Sequence, residues 1–131
     1  MNCGLEFHDS RVASVRSWDQ VVTISFEAAY LHRSDGRPGS DKGTCWLQAG
    51  ALVFDESSAP GTPDIGEGWI VDGSLRVDGA DELHLIPVPF NVVGSIAAAF
   101  AFNNGYVLHL QGKSSRLTLT GDARFVEEFL G

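Results

Sequence analysis

Val21-Val22-Thr23-Ile24-Ser25-Phe26-Glu27-Ala28-Ala29-Tyr30-Leu31-His32 alternates with a period of two. Val22, Ile24, Phe26, Ala28 and Tyr30 fall on one side of an extended chain. Thr23, Ser25 and Glu27 fall on the other. Successive strand residues point to opposite faces, so this pattern reads as a long strand with one face on a core. His32 continues the apolar series and is expected at the inner rim of the β layer. Upstream, Arg11 to Arg16 carries Val12, Ala13 and Val15, and Ser17-Trp18-Asp19-Gln20 suits the turn between the two strands.

The same reading extends downstream. Thr44 to Phe54 is a second long strand, with Trp46, Gln48, Leu52 and Phe54 on a common face. Trp69–Val71 and Ser74–Val77 read as a short hairpin about Asp72-Gly73, since Asp and Gly tolerate the positive φ of tight turns. Leu83 to Val88 is a strand limited by Pro87 and Pro89, which suits an edge. Val92 to Phe102 follows, with Ile96, Ala98, Phe100 and Phe102 opposed to Ala97, Ala99 and Ala101. Both faces of that strand are apolar, so both are expected to be covered, by the chain itself or by a second subunit. Asn104-Gly105 and Gly112 to Ser114 read as turns flanking Tyr106 to Gln111, with Arg116 to Thr120 beyond. Asp122 is placed to cap a helix from Ala123 to Leu130, on the spacing of Phe125, Val126 and Phe129. The expected fold is mainly β: an antiparallel β-sandwich or partly open barrel of about eight strands with a short C-terminal helix. With no repeat or linker, residues 1–131 read as a single β domain.

Composition bounds the function. The chain has 131 residues, 44% hydrophobic and 20% charged, enough to bury a core without staples. Seventeen acids against 9 Lys and Arg give a formal charge of −8. Such a surface repels phosphate backbones, which argues against nucleic acid and anionic membrane as partners and favours a basic protein or a cation. The greasy stretch from Leu85 to Phe102 is interrupted by Pro87, Pro89, Asn91 and Ser95, unlike a membrane span. The N-terminal residues lack a basic segment followed by an apolar run. Cys3 and Cys45 lie outside any metal spacing, so two free thiols in a cytoplasmic protein are expected.

Three constellations carry chemistry. His8-Asp9-Ser10 contains the residue types of a hydrolase triad, but neighbours on an extended chain diverge, so Asp9 or Ser10 is expected to bond nearby backbone instead. The histidines at 8, 32, 84 and 109 have no metal-ligand spacing, and Asp72, Asp78, Asp81 and Glu82 sit in turn contexts, so neither a metal nor another cofactor is expected. Tyr30, His32, Asp35, Arg37 and Trp46, with Arg33 and Asp41, gather near a glycine-rich connection running from Arg33 to Gly43. Arginine forks suit carboxylate or phosphate and an indole face suits a flat ligand, so a small-molecule mouth, for binding or for an enzyme's reaction, is one reading. Arg–Asp pairs that merely order the loop are the other. A second long connection, Asp55 to Gly68, is rich in Pro, Gly and acid; like the first it reads either as functional, here as a contact for a protein partner, or as a floppy connection.

Phe7-His8-Asp9-Ser10, followed by Val12, Val15 and the long alternating strand, resembles the opening of small bacterial β proteins of unknown function in which His-Asp-Ser or His-Asp-Ala starts the first strand pair. Some of these resemble immunity proteins that neutralise a toxin partner. The resemblance covers about the first quarter of the chain. It implies no catalytic residue and a protein-binding or accessory role. Together with the acidic charge and the apolar strand, it makes a non-enzymatic binding module, homo-oligomeric or bound to another protein, the leading expectation.

Overall fold

The computed structural model describes residues 1–57 and 65–131. The expected contact loop from Asp55 to Gly68 falls partly on residues 58–64, outside the described residues. Seven strands follow in chain order: β1 (Asn2–Trp18), β2 (Val21–Ser34), β3 (Gly43–Asp55), β4 (Gly68–Val77), β5 (Leu85–Val88), β6 (Asn91–Phe102) and β7 (Val107–Phe129). They form one antiparallel sheet in the order β2-β3-β7-β6-β4-β1-β5, and β1 also pairs with β2, so the hydrogen-bonded ladder returns on itself. The architecture is therefore a barrel-like ring rather than two separate sheets.

The ring closes unevenly. At one end, β1 meets β4 through Arg11↔Trp69 and Val12↔Gly68. At the other, the first half of β1 turns to β5 instead, from Cys3↔Val88 to Glu6↔Leu85. β5 thus lies at the sheet's end, where its two-proline context suits it.

The core fills the ring. Leu5, Phe7, Ile24, Leu31, Leu52, Phe54, Ile70, Leu75, Ile96, Phe100 and Leu108 are buried in one cluster. At its centre the rings of Phe7 and Phe100 meet edge to face, 5.1 Å between centroids. Gly73 lies beside them: a Cβ there would stand 2.7 Å from Phe7 Cβ and 2.9 Å from Phe100 Cδ1. This close approach accounts for a glycine within β4, and Asp72-Gly73 runs on through that strand instead of making the expected hairpin. The expected turn does form at Asp19 (φ 50°) and Gln20 (φ 62°), which join β1 to β2 with both residues at positive φ.

Two expectations near the C-terminus are corrected. Gly112 to Ser114 is no turn, because β7 passes straight through it and the local irregularity sits opposite, between Val93 and Ile96 of β6. The helix from Ala123 to Leu130 is absent. That segment extends β7 and pairs with β3, from Leu47↔Arg124 to Gly43↔Phe129. An eight-residue helix has little stability of its own. Pairing here satisfies the backbone of the first half of β3, and it sets Phe125 edge to face against Trp46 at 5.5 Å and Phe129 against His32 at 5.1 Å. The alanine face of β6 consequently has no helix over it; with Arg76, Glu82, His109 and Gln111 it lines a shallow groove of about 460 Å³.

Candidate functional site

The five residues expected to share a mouth do not share a face. In β2, Val22, Ile24 and Phe26 are buried in the core, and so are Ala29 and Leu31. The inward series thus passes from even to odd numbers. The switch falls at the register shift between Phe26 and Ala29, where β2 carries one extra residue against β3. A one-residue bulge re-aims every side chain beyond it. Trp46, opposite Leu31, points inward and packs against the core. Tyr30 and His32 point to the other face of the sheet, so the expected inner-rim position of His32 is corrected.

The bulge is matched in β1. Between Glu6 and Arg11 the register with β2 shifts, and Asp9 adopts φ 69°. Ser10 is buried there, its hydroxyl donating to the Glu6 carbonyl (2.7 Å) and accepting from the Tyr30 amide (3.0 Å). His8 and Asp9 are exposed and 3.4 Å apart. The His-Asp-Ser stretch therefore contributes a backbone bridge, as expected of Ser10.

On the outer face, His32 sits in a row of polar groups. Its Nε2–H donates to Glu6 Oε2 at 3.0 Å, and its Nδ1 faces Cys45 Sγ at 3.7 Å. Cys45 is the cross-strand neighbour of His32 and Glu127 that of Cys45. The Tyr30 hydroxyl donates to Glu127 Oε1 at 3.1 Å. Burial first, and then Cys45 and Glu127, push the Tyr30 hydroxyl far above the usual phenol range. With Nε2–H committed to the carboxylate, a neutral imidazole presents Nδ1 as acceptor to the thiol. Carboxylate, imidazole and thiol thus stand in the order of orienter, base and nucleophile. Yet His32 is 5% exposed and Cys45 1%, beneath Tyr30 and Phe129. A thiol so enclosed is poorly accessible to a substrate, and the row links β1, β2, β3 and β7 across the sheet.

The inner face at this end holds a different group. The Arg33 guanidinium lies 4.4 Å from the centre of the Trp46 ring, and Trp46 Nε1 donates to Thr44 Oγ1 at 2.8 Å. Cys3 is opposite Arg33, and its thiol is pushed up by burial, with Arg33 opposing. Asp35 is exposed and lines a shallow cavity of about 280 Å³ with Arg33, Lys42, Thr44 and Glu128. Arg37 is exposed, and its backbone amide donates to Asp41 Oδ2 at 2.6 Å, so the loop is ordered through main chain. Tyr30 and His32 therefore cluster on one face, Trp46 lies on the other, and Asp35 and Arg37 belong to the connecting turn. Among the described residues no cluster of three or more His, Cys, Asp or Glu has the arrangement to hold a metal ion.

Glu6, Cys45, Phe125 and Glu127 belong to these groups although the sequence does not mark them as site residues. Glu6 lies 26 residues from His32, and Glu127 lies 97 from Tyr30. Spacing within one segment carries no trace of such pairings.

The second half of β7 completes the open end. Pairing with β6 runs only as far as Asn91↔Arg116, with one further bond from the Leu117 amide to the Phe90 carbonyl. Beyond this, β7 has β3 on one side and, among the described residues, no strand on the other. Phe125 is 55% exposed and Val126 42%. Comparison with protein-family models, with curated proteins and with solved structures gives no match, so the functional reading rests on this geometry.

Proposed function

We propose that this chain is a protein-binding module that engages its partner at the open end of the ring. The observation that carries the reading is Phe125, an aromatic side chain more than half exposed on a strand that outruns its neighbour, next to the exposed Val126. Aromatic side chains on a polar surface are the usual anchors of protein interfaces, because they bury large area at low entropic cost. The formal charge of −8 favours a basic partner by steering it electrostatically. The enclosed Cys45 and His32 support binding over catalysis as the use of this end.

Site-specific photo-cross-linking tests the reading. A photoreactive aromatic residue replaces Phe125 in one version of the chain and the still more exposed Val93 in a control. A discrete protein adduct from position 125 but not from 93, competed by unmodified chain and not by Phe125→Asp, is the expected result. Equal labelling from both positions, or none from 125, refutes it.

A second reading, a small-molecule site, draws on the cavity beside Arg33, Asp35 and Lys42 and on the Arg33–Trp46 stack. Native mass spectrometry of gently purified protein checks it. Added mass that is lost in Arg33→Ala favours a ligand; added mass that is retained in that variant refutes this location.

A further inference from the structure

We propose that the edge of β7 over residues 118–129, which no strand among the described residues pairs, receives an extended basic segment of the partner as an added strand. The inference rests on the protein-binding reading and specifies its mode and chemistry. An edge strand presents a row of unpaired N–H and C=O groups, and strand addition satisfies them with main-chain bonds while side chains set specificity.

Three observations fix the occupant. First, the edge begins where the pairing of β7 with β6 stops after Arg116 and Leu117, and β7 continues to Phe129 with β3 behind it. The receiving strand is thus already held against β3, save for an irregular step between Thr120 and Arg124 where Gly121 takes φ 71°. Second, Phe125 leans on Trp46, which packs against the core, so an apolar side chain of the added strand meets a surface continuous with the interior. Third, residues 118–129 carry Asp122, Glu127 and Glu128 against Arg124 alone. Lys or Arg flanking an apolar residue complements that edge. A second copy of this chain would bring the same three acids against themselves. The register shift between Cys45 and Trp46 sets a bulge into β7 beside Phe125, and bulges with charges are devices that keep edges from pairing indiscriminately.

The test uses the full chain and two labelled decapeptides, one alternating Lys with Val and one alternating Glu with Val. The Lys peptide is expected to bind, to slow amide exchange within residues 118–129, and to weaken as salt is raised. Asp122→Lys combined with Glu128→Lys is expected to weaken it on the order of tenfold and to admit the Glu peptide. Both substitutions lie on an exposed strand, and an unchanged thermal midpoint shows that the fold survives. Binding without protection of residues 118–129, or binding indifferent to the double substitution, overturns the proposal. No peptide binding, with protection of the same residues on raising protein concentration, identifies a second copy as occupant and overturns the basic segment while sparing the protein-binding reading. No peptide binding, no protection and no cross-link from position 125 overturns both.

Discussion

Ser10→Ala removes one oxygen, yet it strips partners from two backbone groups. The Ser10 hydroxyl connects the Glu6 carbonyl to the Tyr30 amide across the irregular stretch where β1 and β2 change register. Ser10 itself is fully buried. A buried donor or acceptor left unsatisfied costs about 1–3 kcal/mol. Two such groups, with some relief from local rearrangement, put the loss at roughly 2–4 kcal/mol, a large share of the stability of a domain this size. With a urea slope of about 1.5 kcal/mol per molar, the unfolding midpoint falls by roughly 1.3–2.7 M. The assay is equilibrium unfolding in urea followed by tryptophan fluorescence. His8→Ala serves as the comparison, since its exposed ring is worth no more than about 0.5 kcal/mol to the fold. Asp9→Val should lie between them, at about 1–2 kcal/mol, because a β-branched residue is strained at φ 69°. A Ser10→Ala midpoint within about 0.3 M of the parent, or equal losses for His8→Ala and Ser10→Ala, refutes the bridging role.

Gly73→Ala forces a Cβ to 2.7 Å from Phe7 Cβ and 2.9 Å from Phe100 Cδ1, and calorimetry should find a cost of about 1–3 kcal/mol and a lower unfolding temperature. Phe129→Ala uncovers His32 and the thiol beside it, so Cys45 should be alkylated at least about tenfold faster by a small thiol reagent, resolved from Cys3 by peptide mass spectrometry; an unchanged rate means that Phe129 is not the cover. Stability should fall on the alkaline side. Tyr30 and Cys3 both titrate above their unfolded values, so from the ordinary thiol and phenol range upward the folded chain holds more protons than the unfolded one. Their contribution is complete below that range and declines as pH rises through it. The urea midpoint should therefore drop between pH 8 and 10.5 less steeply in Tyr30→Phe than in the parent, and equal slopes count against the role of Tyr30.

Much of the fold is legible in residue order, and the exceptions share one cause. Val22, Ile24 and Phe26 do line the core, as do Ile96, Ala98, Phe100 and Phe102. Period-two alternation survives into the structure wherever a strand runs without a bulge. The misleading stretches are those with turn chemistry. Asp72-Gly73 and Gly112 to Ser114 look like chain reversals and Asp122 like a helix cap, yet β4 and β7 pass through them. Glycine and aspartate serve equally at a close approach or a bulge, and local sequence does not separate these uses. The helical spacing of Phe125, Val126 and Phe129 misleads for a related reason: with a bulge between Phe125 and Glu127, residues a helical step apart remain usable on a strand. Tertiary pairing with β3 then decides the outcome.

The same irregularities explain why the candidate site was only half legible. His32 sits six residues beyond Phe26, so plain alternation places both on one face. The extra residue in β2 reverses this and turns Tyr30 and His32 outward to Glu6, Cys45 and Glu127. Each bulge also adds local twist and bend to its strand. Three of them, in β1 between Glu6 and Arg11, in β2 after Phe26 and in β7 beside Phe125, lie toward the end of the ring that does not close. There the first half of β1 turns to β5, and the second half of β7 loses its neighbour on one side. The buried polar row and the exposed strand edge therefore arise from one distortion. Clasping β1, β2, β3 and β7 through Glu6, His32, Cys45, Glu127 and Phe129 holds the bent sheet in shape, and that bend leaves Phe125 facing water. A substitution in the clasp, such as His32→Leu, should accordingly weaken binding at Phe125 without touching the binding surface, whereas His109→Leu, in the first half of β7 opposite Ala99, should leave it unchanged.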